Sequence, residues 1–196
     1  MSNPSLAWRR LRHGAVQPAC NDVRPESPLA LVFRCADTSL GVPTPGLNAD
    51  ELMTVSTWGH VVDTGVLASI EYAVTALDVP LILVLGHDEC PAMSLALRAW
   101  EHAEMPGGAA RSAVEHAMLS IVHRGIVADS VAAVAAAHIV ETGLALMQRS
   151  PAVARRVDDG TCGIVCATTR IGNPELHVHA VYGAVETSVE PLVERV

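Results

Sequence analysis

The sequence has few aromatic residues, no cluster of basic residues and no long apolar run. Of its 196 residues, 3% are aromatic and 50% are hydrophobic, a composition that suits helices packed closely on a sheet of branched residues. The formal net charge is −8. We expect no nucleic-acid partner, because such binding requires a basic surface. We also expect no membrane segment, because no stretch approaches the ~20 apolar residues that span a bilayer.

Signals for export and for a disulfide framework are also absent. The stretch Met1-Ser2-Asn3-Pro4 is not an apolar signal core, and residues 4–13 have the spacing of a short amphipathic helix. The five cysteines are an odd number and have no framework spacing. We therefore expect a cytoplasmic protein whose thiols are free or bound to a metal.

Continuous apolar runs alternate with helical patterns along the whole chain. This alternation predicts a single domain over 1–196 with an α/β fold, in which helices flank a central, mostly parallel sheet. Residues 1–28 form an N-terminal helix and a connector in this interpretation. Strands are predicted at 29–34, 52–56, 80–86, 162–168 and 176–182, the last alternating as an antiparallel edge strand does. Further helices are predicted at 63–78, from just after Cys90 to about 103, at 109–124 and at 128–149. Asp63 or Thr64 is the expected N-cap of the first of these helices, and a loop is expected at 40–50.

Two short motifs follow two of the predicted strands. Cys35 comes directly after the first strand, and His87 and Cys90 come after the strand at 80–86. In open α/β sheets, ligands bind beyond the carboxyl ends of the strands. Neighbouring strands are only ~5 Å apart, so one ion can bridge the ends of two strands. Thiolate and imidazole are the ligands that zinc prefers, and three protein ligands with one open position are typical of a catalytic zinc. The residues therefore predict a Zn²⁺ site.

Asp37 lies two residues after Cys35, within ~7 Å of it along the chain. Its carboxylate has two alternative roles. It could bind the zinc as a fourth ligand, which closes the site, or it could stay beside the zinc and accept a proton from metal-bound water. The spacing alone does not choose between these roles.

The two motifs together resemble those of the β-class carbonic anhydrases. The family pattern is Cys-x-Asp followed, roughly fifty residues later, by Gly-His-x-x-Cys after an apolar strand, as in Cys35-Ala36-Asp37 and Gly86-His87-Asp88-Glu89-Cys90. The segments 58–74 and 79–90 are also similar to the family, and the resemblance extends from about Ala7 to about Gly183.

The resemblance implies zinc on Cys35, His87 and Cys90, with Asp37 as the catalytic residue that orients the zinc-bound hydroxide. It implies reversible hydration of CO2 to bicarbonate, in which zinc lowers the pKa of its water so that hydroxide exists near neutral pH. It also implies that the N-terminal helix packs on a partner subunit in a homodimer or a dimer of dimers.

Three departures from the family pattern affect the predicted site. Ser39 occupies the position of an arginine that, in the family, pairs with the aspartate and holds it off the metal, a strong and directional pairing. Pro91 replaces a glycine, although proline suits the first turn of a helix. Residues 55–57 lack a second arginine, and Trp58 stands where a small residue is usual. One hypothesis is therefore that Asp37 becomes the fourth zinc ligand and closes the site.

These departures leave alternatives to CO2 hydration. One is a non-catalytic paralogue whose zinc is structural and which binds a partner or a small anion. Another is an enzyme that attacks a different small linear substrate.

The remaining cysteines and histidines have less specific patterns. Cys162 and Cys166 are expected in the core, His177 and His179 at the solvent or a subunit interface, and His60 at the edge of the pocket. We expect the helical histidines to be surface or packing residues: His102, His116, His123 and His138.

Overall fold

A computed structural model describes residues 3–13, 27–37, 51–170 and 173–186. Within these residues the chain forms a five-stranded sheet in the order β2-β1-β3-β4-β5. Its first four strands in chain order are parallel, and β5 runs antiparallel to β4 at the edge. The predicted α/β fold with an antiparallel edge strand is confirmed. The strands are β1 (Ala30–Cys35), β2 (Leu52–Thr57), β3 (Leu81–His87), β4 (Gly163–Arg170) and β5 (Asn173–Tyr182).

Six α-helices occur in the described part of the chain. They are α1 (Pro4–His13), α2 (Thr64–Thr75), α3 (Pro91–His102), α4 (Ala110–Arg124), α5 (Val131–Arg149) and α6 (Pro151–Asp158), and a short 3₁₀ turn covers Trp58–His60. The first five lie where the sequence predicts helices. The sequence interpretation missed α6, although Ser150 caps it by accepting a hydrogen bond from the Val153 N–H. The predicted loop at 40–50 and most of the connector lie outside the described residues.

The start of α2 follows the predicted capping chemistry. The Asp63 carboxylate accepts a hydrogen bond of 2.8 Å from the Val66 N–H, which satisfies a donor that the first helical turn leaves unpaired. The helix ends at Thr75, earlier than the predicted residue 78. The chain then turns towards β3 through Asp78, which has a left-handed φ of 50°.

Alternate side chains of β1 enter two different cores, as the period of two in a strand requires. Leu31 and Phe33 belong to a core that the sheet forms with residues of α2, α5 and α6. Ala30 and Val32 belong to a core on the opposite face, which α1 covers. Helices therefore flank both faces of the sheet.

The N-terminal helix packs its apolar face on the sheet of its own chain. Ala7, Trp8 and Leu11 are almost completely buried there. Burial of one large apolar side chain stabilises a fold by roughly 1.5–3 kcal/mol, so α1 is an integral part of this domain. Leu6, on the other side of the helix, is 58% exposed. Packing of α1 on a partner subunit stays a prediction.

One helix in the described part of the chain, α5, is long and apolar enough to cross a membrane. It has 19 residues, a mean hydropathy of 1.5 and half of its length buried inside the protein. It contacts β3 and β4 and contributes Ile139, Val140 and Leu146 to the core. These contacts are those of a core helix.

Candidate metal centre

The ends of two adjacent strands carry the predicted ligands. Cys35 is the last residue of β1, and His87 is the last residue of β3. Cys90 is the N-cap of α3, which begins at Pro91. Pro91 thus occupies the first helical turn, where its missing N–H has no helical partner to lose.

The three side chains form a compact, buried group. Their ligand atoms all lie within 4.8 Å of one another, and the sulfur atoms of Cys35 and Cys90 are 3.8 Å apart. Among the described residues, this is the one group of three or more His, Cys, Asp and Glu side chains close enough to share an ion. Cys35, His87 and Cys90 are 4%, 3% and 2% exposed, so water does not solvate their polar atoms.

The donor atoms of this group suit zinc. Neither ring nitrogen of the buried His87 has a hydrogen-bond partner, and such unsatisfied buried polar atoms are rare in folded proteins. A metal ion bound to the imidazole would satisfy one of them. Two sulfurs and one imidazole nitrogen are a common zinc ligand set, and a tetrahedral ion keeps a fourth position.

Asp37 lies beside this group and outside it. Its Oδ2 atom is 3.7 Å from Nε2 of His87, and its side chain is 15% exposed. The carboxylate is therefore near the predicted ligands and partly accessible to solvent. Ser39, where the family has arginine, lies outside the described residues, so the hypothesis of a closed site stays a prediction.

The two thiols interact directly. The hydrogen bond from the Cys90 thiol is the main cause that holds the pKa of Cys35 well below its usual range, although burial opposes it. The same pairing, together with burial, raises the pKa of Cys90. Because zinc binds thiolates, an ion at this site would require both sulfurs to be deprotonated.

The turn Trp58–His60 supplies a further contact to Cys35. The Gly59 N–H donates a hydrogen bond of 3.3 Å to the Cys35 sulfur. Gly59 has a φ of 65°, and a Cβ atom there would lie 2.8 Å from the Cβ of Ala113. Glycine is therefore required at this position by both the backbone and the packing. Trp58 packs partly buried against the cluster that contains both ligand cysteines.

His60 was expected to line the pocket, and it does. A narrow pocket is lined in part by His60, His87, Cys90 and His138. His60 is 3% exposed, and its Nε2 atom lies 2.9 Å from the Leu85 carbonyl oxygen. Burial lowers the pKa of His60, so the ring is neutral and donates this hydrogen bond.

Sequence reasoning missed the position of His138 relative to the site. Its ring is 3% exposed, and its Nε2 atom lies 2.9 Å from the Gly59 carbonyl oxygen. Burial lowers the pKa of His138 to about 4. The sequence signal for a buried His138 was its place on the apolar face of α5, one turn from the buried Val134 and Thr142. The spacing did not indicate its hydrogen-bond partner, Gly59.

The other histidines and cysteines have less direct relations to the site. Cys162 and Cys166 are buried in the core, as predicted. Five other histidines are exposed, as expected for surface residues: His102, His116, His123, His177 and His179.

Comparison with known proteins identifies a family. The carbonic anhydrase family model matches residues 30–176. The chain is 36% identical over 198 residues to a carbonic anhydrase of Mycolicibacterium smegmatis, which covers 91% of this chain and 95% of that protein. It is 36% identical over 188 residues to carbonic anhydrase 2 of Mycobacterium tuberculosis, with coverages of 87% and 90%.

Solved structures show the same fold at lower sequence identity. A β-carbonic anhydrase of Sordaria macrospora has a TM-score of 0.68 at 19% identity, and the alignment covers 80% of this chain and 83% of that one. The β-carbonic anhydrase CcaA has a TM-score of 0.63 at 21% identity, with coverages of 78% and 80%.

Proposed function

The chain belongs to the carbonic anhydrase family, in its β class, and from this premise we propose that it is a zinc-dependent carbonate dehydratase that reversibly hydrates CO2 to bicarbonate. The observation that carries the proposal is the buried group of Cys35, His87 and Cys90, whose ligand atoms lie within 4.8 Å of one another. A structural zinc site is closed by four protein ligands. Three ligands in this group favour an open position and therefore a catalytic site.

The three residues would hold the ion through two sulfurs and one imidazole nitrogen. Bound zinc supplies a nucleophile near neutral pH by lowering the pKa of water. The chain must orient that water and receive a proton from it. Asp37 is the residue proposed for this task, because its carboxylate lies 3.7 Å from the His87 ring and outside the ligand group.

We also propose that the active protein is a homodimer or a dimer of dimers in the cytoplasm. The β-carbonic anhydrases of Sordaria macrospora with this fold are described as tetrameric. Light scattering on the purified full chain would determine its mass in solution, and a monomeric mass would contradict this part of the proposal.

Metal analysis and stopped-flow CO2 hydration of the purified chain test the proposal. We expect one zinc per chain and measurable hydration that rises between about pH 7 and about pH 9 as the nucleophile forms. Cys90→Ser should lose both zinc and activity. Cys162→Ser is the matched control, since Cys162 is equally buried but lies outside the ligand group. A protein without zinc would overturn the site, and a zinc-loaded but inactive protein would favour the non-catalytic alternative.

A further inference from the structure

A continuous hydrogen-bonded path links α5 to the metal ligand at the end of β1. The Gly59 N–H donates to the sulfur of Cys35 at 3.3 Å. The carbonyl oxygen of the same glycine lies 2.9 Å from Nε2 of His138. The histidine therefore holds the residue whose N–H contacts the thiolate, although it is 79 positions away in the sequence.

The protonation state of His138 follows from its partners. Burial keeps the ring neutral, with a pKa of about 4, so it carries a single proton. A carbonyl oxygen only accepts hydrogen bonds, so that proton is on Nε2 and points to Gly59. The other ring nitrogen, Nδ1, lies 3.0 Å from the Ser120 oxygen of α4. The single proton of this hydroxyl lies within reach of both Nδ1 and the His116 carbonyl oxygen, which is 2.9 Å from the same oxygen. The Nε2 hydrogen bond therefore fixes which edge of the ring faces Gly59.

The turn that His138 contacts is one that needs support. Gly59 and His60 have consecutive left-handed φ values of 65° and 53°. This region is unfavourable for a residue with a side chain, and such conformations persist only where the surrounding structure imposes them. The His60 ring anchors one end of the turn to the Leu85 carbonyl of β3. The His138 ring anchors its centre to α5.

We propose that His138 is a positioning residue of the metal centre, which holds the Gly59 N–H on the Cys35 sulfur and so stabilises zinc binding. This inference rests on the proposed zinc site. An N–H that donates to a metal-bound thiolate withdraws charge from the sulfur and fixes its orientation. Groups that orient metal ligands in this way change metal affinity or activity by about 10–100-fold when they are removed.

Zinc release from the loaded full-length protein into an excess of a colorimetric chelator tests this inference without using activity. We expect His138→Ala to release zinc about 10–100-fold faster than wild type. His138→Gln should release it within about threefold of wild type, because the glutamine amide can also donate to the Gly59 carbonyl. Ser120→Ala, which frees Nδ1 but keeps the ring, should lie between the two.

Thr142→Val is the matched control. Thr142 is buried one turn along α5, and its hydroxyl donates only to the His138 carbonyl oxygen within the helix. The variant should lower thermal stability but leave zinc release unchanged. Should His138→Ala fail to fold, the comparison of Ser120→Ala with Thr142→Val remains decisive.

A second readout follows the hydrogen bond itself. In the cadmium-113-substituted protein, the Gly59 amide proton should show scalar coupling to the metal through the Cys35 sulfur. We expect the coupling in wild type, in His138→Gln and in Thr142→Val, and its loss in His138→Ala.

The outcomes separate this inference from the proposed function. Zinc release by His138→Ala at the wild-type rate, or equal acceleration by Thr142→Val, would overturn the positioning role alone. A wild-type chain that binds zinc but does not hydrate CO2 would overturn the proposed activity and leave the zinc-release comparison valid. A wild-type chain that binds no zinc would overturn both.

Discussion

The Asp37 carboxylate lies 3.7 Å from the Nε2 atom of His87, yet Asp37 is not one of the residues whose ligand atoms are mutually close. This separation places a carboxylate beside the proposed zinc ligands without making it one of them. The second of the two roles that the sequence allows for Asp37, a proton acceptor beside the zinc, is the one that we expect, and the following variants test it.

We predict that Asp37→Asn lowers the kcat of CO2 hydration by about a hundredfold or more and leaves zinc content unchanged. The amide cannot accept a proton at neutral pH, and loss of a positioned acid–base group costs about 10²–10⁴-fold in rate. Stopped-flow assays with metal analysis on the same sample measure both quantities. Asp63→Asn is the control, because Asp63 only caps α2. Loss of zinc from Asp37→Asn would identify the aspartate as a ligand instead.

A second prediction concerns the arginine that is absent at Ser39. Because Asp37 already lies outside the ligand group, we expect Ser39→Arg to change hydration at about pH 8 by less than about threefold, which is under about 1 kcal/mol. X-ray absorption at the zinc edge should show two sulfurs and two lighter ligands in both proteins. An inactive wild type that Ser39→Arg restores would show instead that zinc draws Asp37 into the fourth position.

Two glycines with left-handed φ provide a matched test of the turn at the metal centre. Gly125→Ala adds a Cβ with no atom within 4 Å, whereas the added Cβ of Gly59→Ala lies 2.8 Å from Ala113. We expect Gly125→Ala to lower the free energy of unfolding by about 1 kcal/mol through backbone strain alone. Gly59→Ala should lower it by about 3 kcal/mol, since overpacking adds about 1–3 kcal/mol. Urea denaturation measures both, and equal losses would contradict the close packing of Gly59.

The neutral, buried His138 predicts loss of stability in mild acid. Burial is the main cause that lowers its pKa from 6.5 to about 4, and the neighbouring His60 and His116 act in the same direction. Between these values the unfolded chain binds more protons than the folded one. The free energy of unfolding should therefore be unaffected above about pH 6.5 and fall by about 3 kcal/mol as the pH decreases towards about 4.

Urea denaturation of wild type and His138→Gln at about pH 7.5 and about pH 5 tests this dependence. Glutamine does not titrate, so the variant should lose less stability between the two values than wild type does. His102→Gln, at an exposed position, should behave as wild type. Parallel pH profiles for wild type and His138→Gln would show that other groups cause the acid sensitivity.

Much of the fold could be predicted because its strands are short apolar runs with clear boundaries. The strand Leu81–His87 is completely buried, and such a run between Pro80 and a polar motif is distinctive. Helix α6 was missed because it is only eight residues long and directly follows α5. Its capping serine and first-turn proline were the available signals.

The grouping of Cys35, His87 and Cys90 could be predicted for a similar reason. His87 and Cys90 are three residues apart, and Cys35 ends the neighbouring strand. Parallel strands align their carboxyl ends at one edge of the sheet, so local spacing and strand order were enough to bring three ligands together.

What the sequence by itself determined is thus the α/β fold and the identity of the proposed zinc ligands, because both depend on short-range patterns and on general rules of sheet packing. Only the tertiary structure decided how the ligands are supported. It placed Asp37 beside the ligand group, aimed the Gly59 N–H at Cys35 and put His138 behind that glycine. These relations join segments up to 79 residues apart, and hydrogen bonds over such separations depend on packing that no local pattern encodes.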